Sequence, residues 1–236
     1  MASSVVVDDN IKKWQMFFSI GGPRNYYPHS YVVSWYFKYV HPYLGNVINK
    51  KVLDVGCGTA PDLYLFVTEG FEYFGIDVTS VCFEEIRRKT KTMQLNQNVI
   101  HLNTFIPPLF QYSDASFDVI VGLESLHFNA TDESMITALG EIFRVLKKGG
   151  YFFFTTINKK HFFVRSDYSR FVTNTCLVIE KGFPEKERIG LKYYVFSNPD
   201  KICELFKSFS EVKVGEYYYD TCDGQPDAYY LIFGKK

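Results

Sequence analysis

The feature that most constrains the fold of this chain is the segment of residues 52–60, VLDVGCGTA. An apolar run with a single charged residue, Asp54, ends there in a turn that contains Gly56 and Gly58. Pro61 follows, and proline is tolerated in the first turn of a helix. This order predicts a strand, a tight turn and a helix, which together let a ligand approach bare backbone.

A second acidic residue lies at the distance that a nucleoside site requires. Asp77 follows Gly58 by about twenty residues and ends the apolar run of residues 71–76. A carboxylate at the end of the neighbouring strand can accept hydrogen bonds from both hydroxyls of a ribose. The glycine turn and Asp77 together predict a nucleoside-binding site.

From residue 51 onward, predicted strands and helices alternate. The strands are expected at 51–55, 72–77, 98–102, 117–122 and 150–156, and the helices at 61–70, 79–94 and 132–147. The last helix is predicted to carry Lys147 and Lys148 in its final turn and to end at Gly149 and Gly150. Such alternation is typical of an α/β fold with a doubly wound, mostly parallel sheet, whose ligands bind at the carboxyl ends of the strands.

The flanking segments are predicted to complete a single domain of residues 1–236. Residues 1–48, with helices at 8–19 and about 30–43, form an N-terminal helical cap over a binding core of residues 49–157. Residues 158–236 supply a substrate-side loop at 158–187, a strand at 191–197, a final helix at 199–209 and a hairpin of strands 211–219 and 227–234.

Composition excludes several classes of protein. Lys+Arg and Asp+Glu both number 26, so the chain lacks the basic excess of a general nucleic-acid surface. The five cysteines are scattered without C-x-x-C spacing, which favours a reduced compartment and predicts no metal site. We see neither a signal peptide nor an apolar run long enough to span a membrane, so the expectation is a cytoplasmic protein without a membrane partner. The oligomeric state stays open.

The turn itself narrows the choice of nucleoside. Proline stands at position 61, where the dinucleotide-binding fingerprint has its third glycine, so a pyrophosphate is weakly supported. There is also no G-x-x-x-x-G-K-[ST] loop for a triphosphate. Asp54 before the turn would disfavour a phosphate and suit a positive group, so we expect a nucleoside with a cationic tail. S-adenosyl-L-methionine fits that description.

Residues 48–157 resemble the class I S-adenosylmethionine-dependent methyltransferases, of the type that acts on small molecules. The resemblance rests on four segments. Residues 52–59 match the family's first motif and residues 74–77 its second. Residues 116–128 match the strand-four segment, and residues 141–150 match the helix and turn before strand five. The resemblance extends more loosely to the end of the chain. It implies a Rossmann-like, seven-stranded sheet whose antiparallel final hairpin would be residues 211–234.

The resemblance also implies roles for individual residues in binding the cofactor. Gly56 and Gly58 would admit the methionine portion, Asp54 would lie near its ammonium group, and Asp77 would accept the ribose hydroxyls. The adenine would be flanked by Val78, Asn103, Thr104 and Phe105, and Leu123 and Glu124 would lie beside the cofactor. Asn103 departs from the family pattern, which often has an acidic residue at that position.

The acceptor of the methyl group is less constrained. In-line displacement at the sulfonium methyl needs a general base only where the nucleophile cannot lose its proton alone. His127, just after the fourth strand, is the candidate base and a candidate substrate contact, although it equally suits a structural role. Tyr26 and Tyr27 are further candidate substrate contacts. His29 and His161 lie in segments that would cover the site, but their positions would suit surface loops equally well. Trp14 suits the apolar, core-facing side of an amphipathic helix.

The preferred function is methyl transfer to an N, O or S atom of a small-molecule acceptor. A protein side chain is the next choice, and a catalytically idle cofactor-binding scaffold is a third. Aminopropyl transfer from the decarboxylated cofactor would call for paired carboxylates in a polyamine groove, which the sequence does not display. Nucleic-acid methylation is disfavoured by the neutral charge and by residues 123–126, which lack the Asn/Asp-Pro-Pro-aromatic motif.

Overall fold

The computed structural model describes residues 2–19, 27–105, 111–220, 222 and 224–236, and of residues 2–9 it describes the backbone alone. Tyr26 therefore lies outside the described residues. The α-helices are α1 (Ala2–Ser19), α2 (Ser30–Trp35), α3 (His41–Leu44), α4 (Leu63–Glu69), α5 (Phe83–Thr92), α6 (Asp132–Val145), α7 (Phe162–Arg165) and α8 (Pro199–Leu205). The strands are β1 (Lys51–Val55), β2 (Glu72–Asp77), β3 (Ile100–Thr104), β4 (Phe117–Gly122), β5 (Leu146–Ile157), β6 (Ser169–Phe171), β7 (Cys176–Ile179), β8 (Lys192–Tyr194), β9 (Ser210–Tyr219) and β10 (Asp227–Lys235).

Seven of these strands form one sheet in the order β3-β2-β1-β4-β5-β10-β9. The first five strands in this order, β3, β2, β1, β4 and β5, are parallel to one another. β10 lies between β5 and β9 and runs antiparallel to both. The predicted doubly wound, mostly parallel seven-stranded sheet with an antiparallel C-terminal hairpin is confirmed. The chain order reverses between β1 and β4, and open α/β sheets bind their ligands at such a point.

Both faces of the sheet are covered by helices. Val52 and Phe153 face a cluster that includes Phe66 of α4 and Ile86 of α5. The neighbouring residue Leu53 points the other way, into a cluster formed with α6 and α8. Successive side chains of a strand alternate between faces, so one apolar run supplies two cores at once.

The predicted N-terminal cap divides into two parts with different positions. Helix α2 and the π-helical segment Tyr36–Val40 pack on a face of the sheet, where the Trp35 ring stacks on Phe153 of β5 at 4.8 Å. Helix α1 instead lies across the carboxyl edge of the sheet, where several of its side chains line a cavity. Of these two parts, α1 is the one whose side chains line the cavity.

The connection predicted over residues 158–187 contains regular structure that the sequence analysis missed. Helix α7 lies in it, and β6 and β7 pair antiparallel with each other and then with β8. The apolar run of β7 was the available signal, but four residues among polar neighbours are too short to mark a strand by periodicity. β8 itself is shorter than the strand predicted at 191–197.

Helix α6 ends earlier than predicted. It stops at Val145, and Lys147, Lys148, Gly149 and Gly150 belong to β5 rather than to a helix end. Leu146 already pairs with Phe117 of β4, and Lys147 Nζ donates to Asp118 Oδ2 at 2.8 Å. These contacts with β4 extend the strand into residues whose local sequence favours a helix end.

None of the helices in the described part of the chain combines the length and apolarity that crossing a bilayer would require. Within the same described ranges, no three His, Cys, Asp or Glu side chains come together as a metal ion would need.

Candidate active site

A cavity of about 510 Å³ lies at the carboxyl edge of the sheet, beneath α1. It extends from Asp77 at the end of β2, past the turn after β1, to Tyr229 in β10. Pockets of 300–1,000 Å³ are typical of small-molecule and cofactor sites. The cavity therefore has the size and position of a ligand site.

The turn after β1 presents backbone to this cavity. Gly56 and Gly58 have φ angles of +71° and +51°, which favour glycine. The amide groups of Gly56 and Cys57 both donate to the carbonyl oxygen of Ile76, at 2.8 and 3.0 Å. A Cβ atom at Gly56 would lie only 2.4 Å from the Cβ of Ser125, so close packing also requires glycine there.

Asp77 links the end of β2 to the same turn. Its Oδ2 accepts from the Gly58 amide at 2.9 Å and its Oδ1 from the Thr79 amide at 3.2 Å. Burial raises the pKa of this carboxyl to about 6, against the lowering effect of these backbone donors. Each oxygen retains acceptor capacity, and the residue lines the cavity.

Asp54, in β1, is buried behind the turn. Its Oδ2 accepts from the Tyr73 hydroxyl at 2.6 Å. Burial raises its pKa to about 7, and the nearby charges of Asp62 and Asp77 add to that rise. The carboxyl groups of Asp54, Asp62 and Asp77 together make this region unfavourable for a phosphate and favourable for a cationic ligand.

A stability measurement on Asp54→Asn would test this arrangement. The carboxyl has a folded-state pKa above its ordinary value, so stability is lost as pH rises from the unfolded-state pKa, about 4, to the folded-state pKa of about 7. We expect Asp54→Asn to raise the free energy of unfolding of the ligand-free protein at pH 8 by roughly 1–4 kcal/mol. The gain should fall to less than half of that value at pH 5, because the unfolded-state carboxyl ionises at about pH 4, and urea unfolding at both pH values measures it. An equal effect at pH 5 and pH 8 would contradict a buried, titrating Asp54.

His29 and Asp62 form a pair in the cavity that sequence analysis did not identify as a site. The Asp62 carboxylate accepts from both the backbone amide and Nδ1 of His29, each at 2.8 Å. Burial lowers the pKa of His29, but the hydrogen bond to Asp62 and the charge of that carboxylate raise it by more. The pKa of His29 therefore lies above its ordinary value. The imidazole Nε2 faces Glu124 Oε1 at 4.0 Å. The raised pKa favours the protonated form of His29, which lies among carboxylates.

A buried lysine holds the turn from behind. Lys89 Nζ, on α5, donates to the carbonyl oxygens of Thr59 and Ala60 at 2.7 and 2.6 Å. Burial lowers its pKa to about 8, against the raising effect of Asp62 and Asp54. Ala60 has a φ of +49°, so Lys89 stabilises a backbone conformation that a non-glycine residue rarely adopts.

Most of the predicted site residues lie together. Those that line the cavity are Asp54, Gly56, Gly58, Asp77, Val78, Phe105, Leu123, Glu124 and His127. Asn103 and Thr104 do not; Asn103 Nδ2 lies 3.4 Å from the hydroxyl of Tyr112, and Thr104 borders a neighbouring cleft. Tyr27 is 73% exposed and is not among the described residues that line the cavity.

The end of the cavity near β5 and β10 is lined mainly by rings, which we call the aromatic chamber: Trp14, Phe128, Phe162, Phe163, Tyr193 and Tyr229. His127, His161 and Arg188 lie among them. Burial lowers the pKa of His127 well below its usual value and that of His161 to about 3, so both are neutral. Arg188 is not predictable as a site residue from the sequence, because it lies in a 3-10 helix (Lys186–Arg188) with no motif around it.

Comparison with known proteins identifies the core. Residues 52–150 match the family described as a methyltransferase domain. The β3-β2-β1-β4-β5-β10-β9 sheet around them is the Rossmann-like sheet of such enzymes. Residues 52–150 thus carry a methyltransferase domain, and the sheet around them has the fold of class I S-adenosylmethionine-dependent methyltransferases.

Individual relatives of this methyltransferase domain are distant. The chain is 26% identical over 121 residues to a ubiquinone biosynthesis O-methyltransferase of Serratia proteamaculans, covering 51% of this chain and 48% of that protein. An enzyme of the same name from Acinetobacter baylyi is 25% identical, over 66% of this chain and 72% of that one. The first curated relatives are thus matched over about half their length. A methyltransferase structure from Methanosarcina mazei, 20% identical, superposes with a TM-score of 0.67 over 84% of this chain and 97% of that chain.

The residues of the methyltransferase domain fit its cofactor. The carboxyl groups of Asp54, Asp62 and Asp77 around the turn suit a cationic nucleoside and would disfavour a phosphate. The Asp77 carboxylate retains acceptor capacity for a ribose diol. Gly56 and Gly58 line the cavity with backbone, which leaves room for a ligand beside the turn.

Proposed function

We propose that the chain transfers the methyl group of S-adenosylmethionine to an N, O or S atom of a small-molecule acceptor. The observation that carries the proposal is one continuous cavity in which the glycine turn and Asp77 lead directly to the aromatic chamber. The names of the relatives, which are small-molecule methyltransferases, support it. The proposal treats residues 1–236 as a single domain in which 1–48 form the cap.

The cofactor would be held by residues at the turn and at the ends of β2 and β4. Asp77 would accept hydrogen bonds from the ribose hydroxyls, with Val78 and Phe105 against the adenine. Asp54 would attract the ammonium group, directly or through water. Leu123 and Glu124 would lie beside the reacting centre. Asn103 and Thr104 stay predicted adenine contacts on sequence grounds alone.

The amino-acid carboxylate of the cofactor needs a cation among these acidic groups. Arg188 and the protonated form of His29 are the cationic side chains in the described lining, and Arg188 is already paired with Glu185 at the other end of the cavity. His29, held by Asp62, lies near Asp54 and Glu124. We therefore assign the carboxylate to His29, with Asp62 as its positioning residue.

The chemistry would depend mainly on position. S-adenosylmethionine, when bound, supplies a methyl group made electrophilic by its positively charged sulfur. The acceptor atom forms a bond to the methyl carbon as the carbon–sulfur bond breaks. The electron pair of the broken bond stays on sulfur. Helix α1 and the aromatic chamber would exclude water and orient the acceptor. A neutral His127 with a strongly lowered pKa is a weak base, so we favour a hydrogen-bonding role over the predicted base role.

The alternatives fit the cavity less well. A protein side chain would need an open groove, whereas α1 crosses the edge of this one. Aminopropyl transfer would start from the decarboxylated cofactor, which has no carboxylate to pair with the His29 imidazole. A cofactor-binding scaffold would have no need of an aromatic chamber beside the cofactor.

Calorimetry with two ligands tests this proposal and the role of His29. We expect the wild type to bind S-adenosylhomocysteine, the demethylated product, more tightly than its decarboxylated analogue. His29→Gln should weaken binding of the product about 10- to 100-fold, as expected for a charge-assisted hydrogen bond, and change that of the analogue less than about threefold.

His41→Gln provides the matched control because this exposed histidine pairs only loosely with Glu69, at 3.9 Å on the surface. It should leave both affinities unchanged. Absence of product binding to the wild type would overturn the proposed function. Equal losses for the two ligands in His29→Gln would overturn the carboxylate assignment alone.

A further inference from the structure

We propose that the aromatic chamber binds the methyl acceptor as an uncharged, flat aromatic ring that carries a hydroxyl group, with Trp14 Nε1 and His127 Nδ1 as its hydrogen-bonding partners. This inference rests on the proposed function, because it names the class of acceptor for the same site. It is drawn from the rings, the unpaired nitrogens and the charges around the chamber.

The rings that line the chamber form one connected surface from separate parts of the fold. Trp14 of α1 packs edge-on against Phe128 with ring centroids 4.8 Å apart, and Phe128 contacts Tyr193 of β8 at 5.1 Å. Tyr193 in turn contacts Phe163 of α7 at 5.4 Å. Aromatic rings prefer offset or edge-to-face neighbours at these distances, and a planar ligand would meet the same preferences.

Two nitrogens of this surface lack a partner among the described residues. Trp14 Nε1 and His127 Nδ1 are both buried without a hydrogen bond in that part of the protein, and both residues line the cavity. An unsatisfied buried polar atom is costly, and its presence in a cavity points to a ligand. Indole Nε1 can only donate, whereas an unprotonated imidazole Nδ1 can accept. A hydroxyl group on the ligand satisfies both kinds of partner.

The charged groups of the chamber already have partners within the protein. The Arg188 guanidinium is paired with Glu185 and lies over the rings of Phe17 and Phe163, 5.1 and 5.0 Å from their centroids. The Asp227 side chain is 42% exposed and its Oδ1 lies 3.6 Å from the neutral His161 Nε2, so water stabilises this carboxylate. A charged acceptor would have to compete with one of these pairs, whereas an uncharged ring leaves them intact.

Transfer to such an acceptor is balanced without a further reactant. The phenolic oxygen forms a bond to the methyl carbon, the carbon–sulfur bond breaks with its electron pair on sulfur, and the phenolic proton is released to water. The products are the methyl ether and S-adenosylhomocysteine.

Three probes with the same ring and different charge test the inference. Catechol is uncharged, 3,4-dihydroxybenzoate is anionic and dopamine is cationic. With methyl-labelled S-adenosylmethionine, we expect kcat/KM for catechol to exceed that for either charged probe at least tenfold. Trp14→Phe keeps a ring and removes the N–H, and should lower kcat/KM for catechol about 3- to 10-fold, the value of one neutral hydrogen bond.

Trp35→Phe is the matched control. Trp35 Nε1 is also buried without a partner in the described structure, but this residue packs on Phe153 in the core and does not line the cavity. It should leave kcat/KM unchanged, and both variants should bind S-adenosylhomocysteine as the wild type does. Preference for a charged probe, equal effects of the two variants, or product binding without methylation of any probe would each overturn the inference. Failure to bind S-adenosylhomocysteine would instead overturn the proposed function.

Discussion

Asp77→Ala is expected to weaken binding of S-adenosylhomocysteine at least about 100-fold, because hydrogen bonds to a charged group contribute about 1.5–3 kcal/mol each and a ribose offers two. The substitution also removes the acceptor for the Gly58 amide, so the turn loses its link to β2. Isothermal titration measures the affinity, and thermal unfolding shows whether the variant remains folded.

Asp132→Ala is the matched control for that experiment. Asp132 also accepts a hydrogen bond within the protein, from the Tyr194 hydroxyl at 2.7 Å, but it lies at the start of α6 and does not line the cavity. Its substitution should reduce stability without changing the affinity. Unchanged binding in a folded Asp77→Ala variant would exclude Asp77 as the ribose acceptor.

Gly56→Ala is expected to lower the free energy of unfolding by about 2–4 kcal/mol and to weaken product binding at least tenfold. Two physical effects combine at this position. The φ of +71° disfavours alanine, and the new Cβ would lie 2.4 Å from the Cβ of Ser125, so the turn or the segment after β4 must move. Urea unfolding and calorimetry measure the two losses.

Two further variants separate these effects. Gly45 has a φ of +67°, and no atom of the described residues lies within 4 Å of the position that its Cβ would take. Gly45→Ala should therefore cost only the backbone strain of φ +67° and ψ −144°, roughly 1–3 kcal/mol, and leave product binding unchanged. In the double variant Gly56→Ala with Ser125→Gly, the Cβ contact disappears and part of the affinity should return. If the double variant regains no affinity over Gly56→Ala, the close contact with Ser125 is not what requires glycine at position 56.

The sheet was predictable because its signals are local. Apolar runs that end in segments containing Asp54 and Asp77 mark β1 and β2, and the carboxyl ends of parallel strands meet at one edge. The glycine turn and Asp77 could therefore be brought together from the sequence. The end of α6 could not be predicted, because it depends on the pairing of Leu146 with Phe117, in a strand about thirty residues away.

The remaining parts of the cavity depend on contacts between distant segments. His29 and Asp62 are 33 residues apart, and nothing in either neighbourhood specifies that they meet. Trp14 suits a helix core by its sequence, yet α1 places it against Phe128 at the cavity. Such pairings follow from the packing of whole elements, so a single sequence predicts the cofactor side better than the acceptor side.

Helix α1 connects the two halves of the site. Phe18 lies over the turn, where its ring would be 3.3 Å from a Cβ at Gly58, and Trp14 of the same helix lines the chamber. Asn10 anchors the helix to β8, where its Nδ2 donates to the Lys192 carbonyl at 3.1 Å. Any displacement of this helix by one ligand alters the wall that the other ligand meets. In that case the two affinities are linked by a coupling free energy, which by thermodynamic reciprocity has the same size in either order of addition.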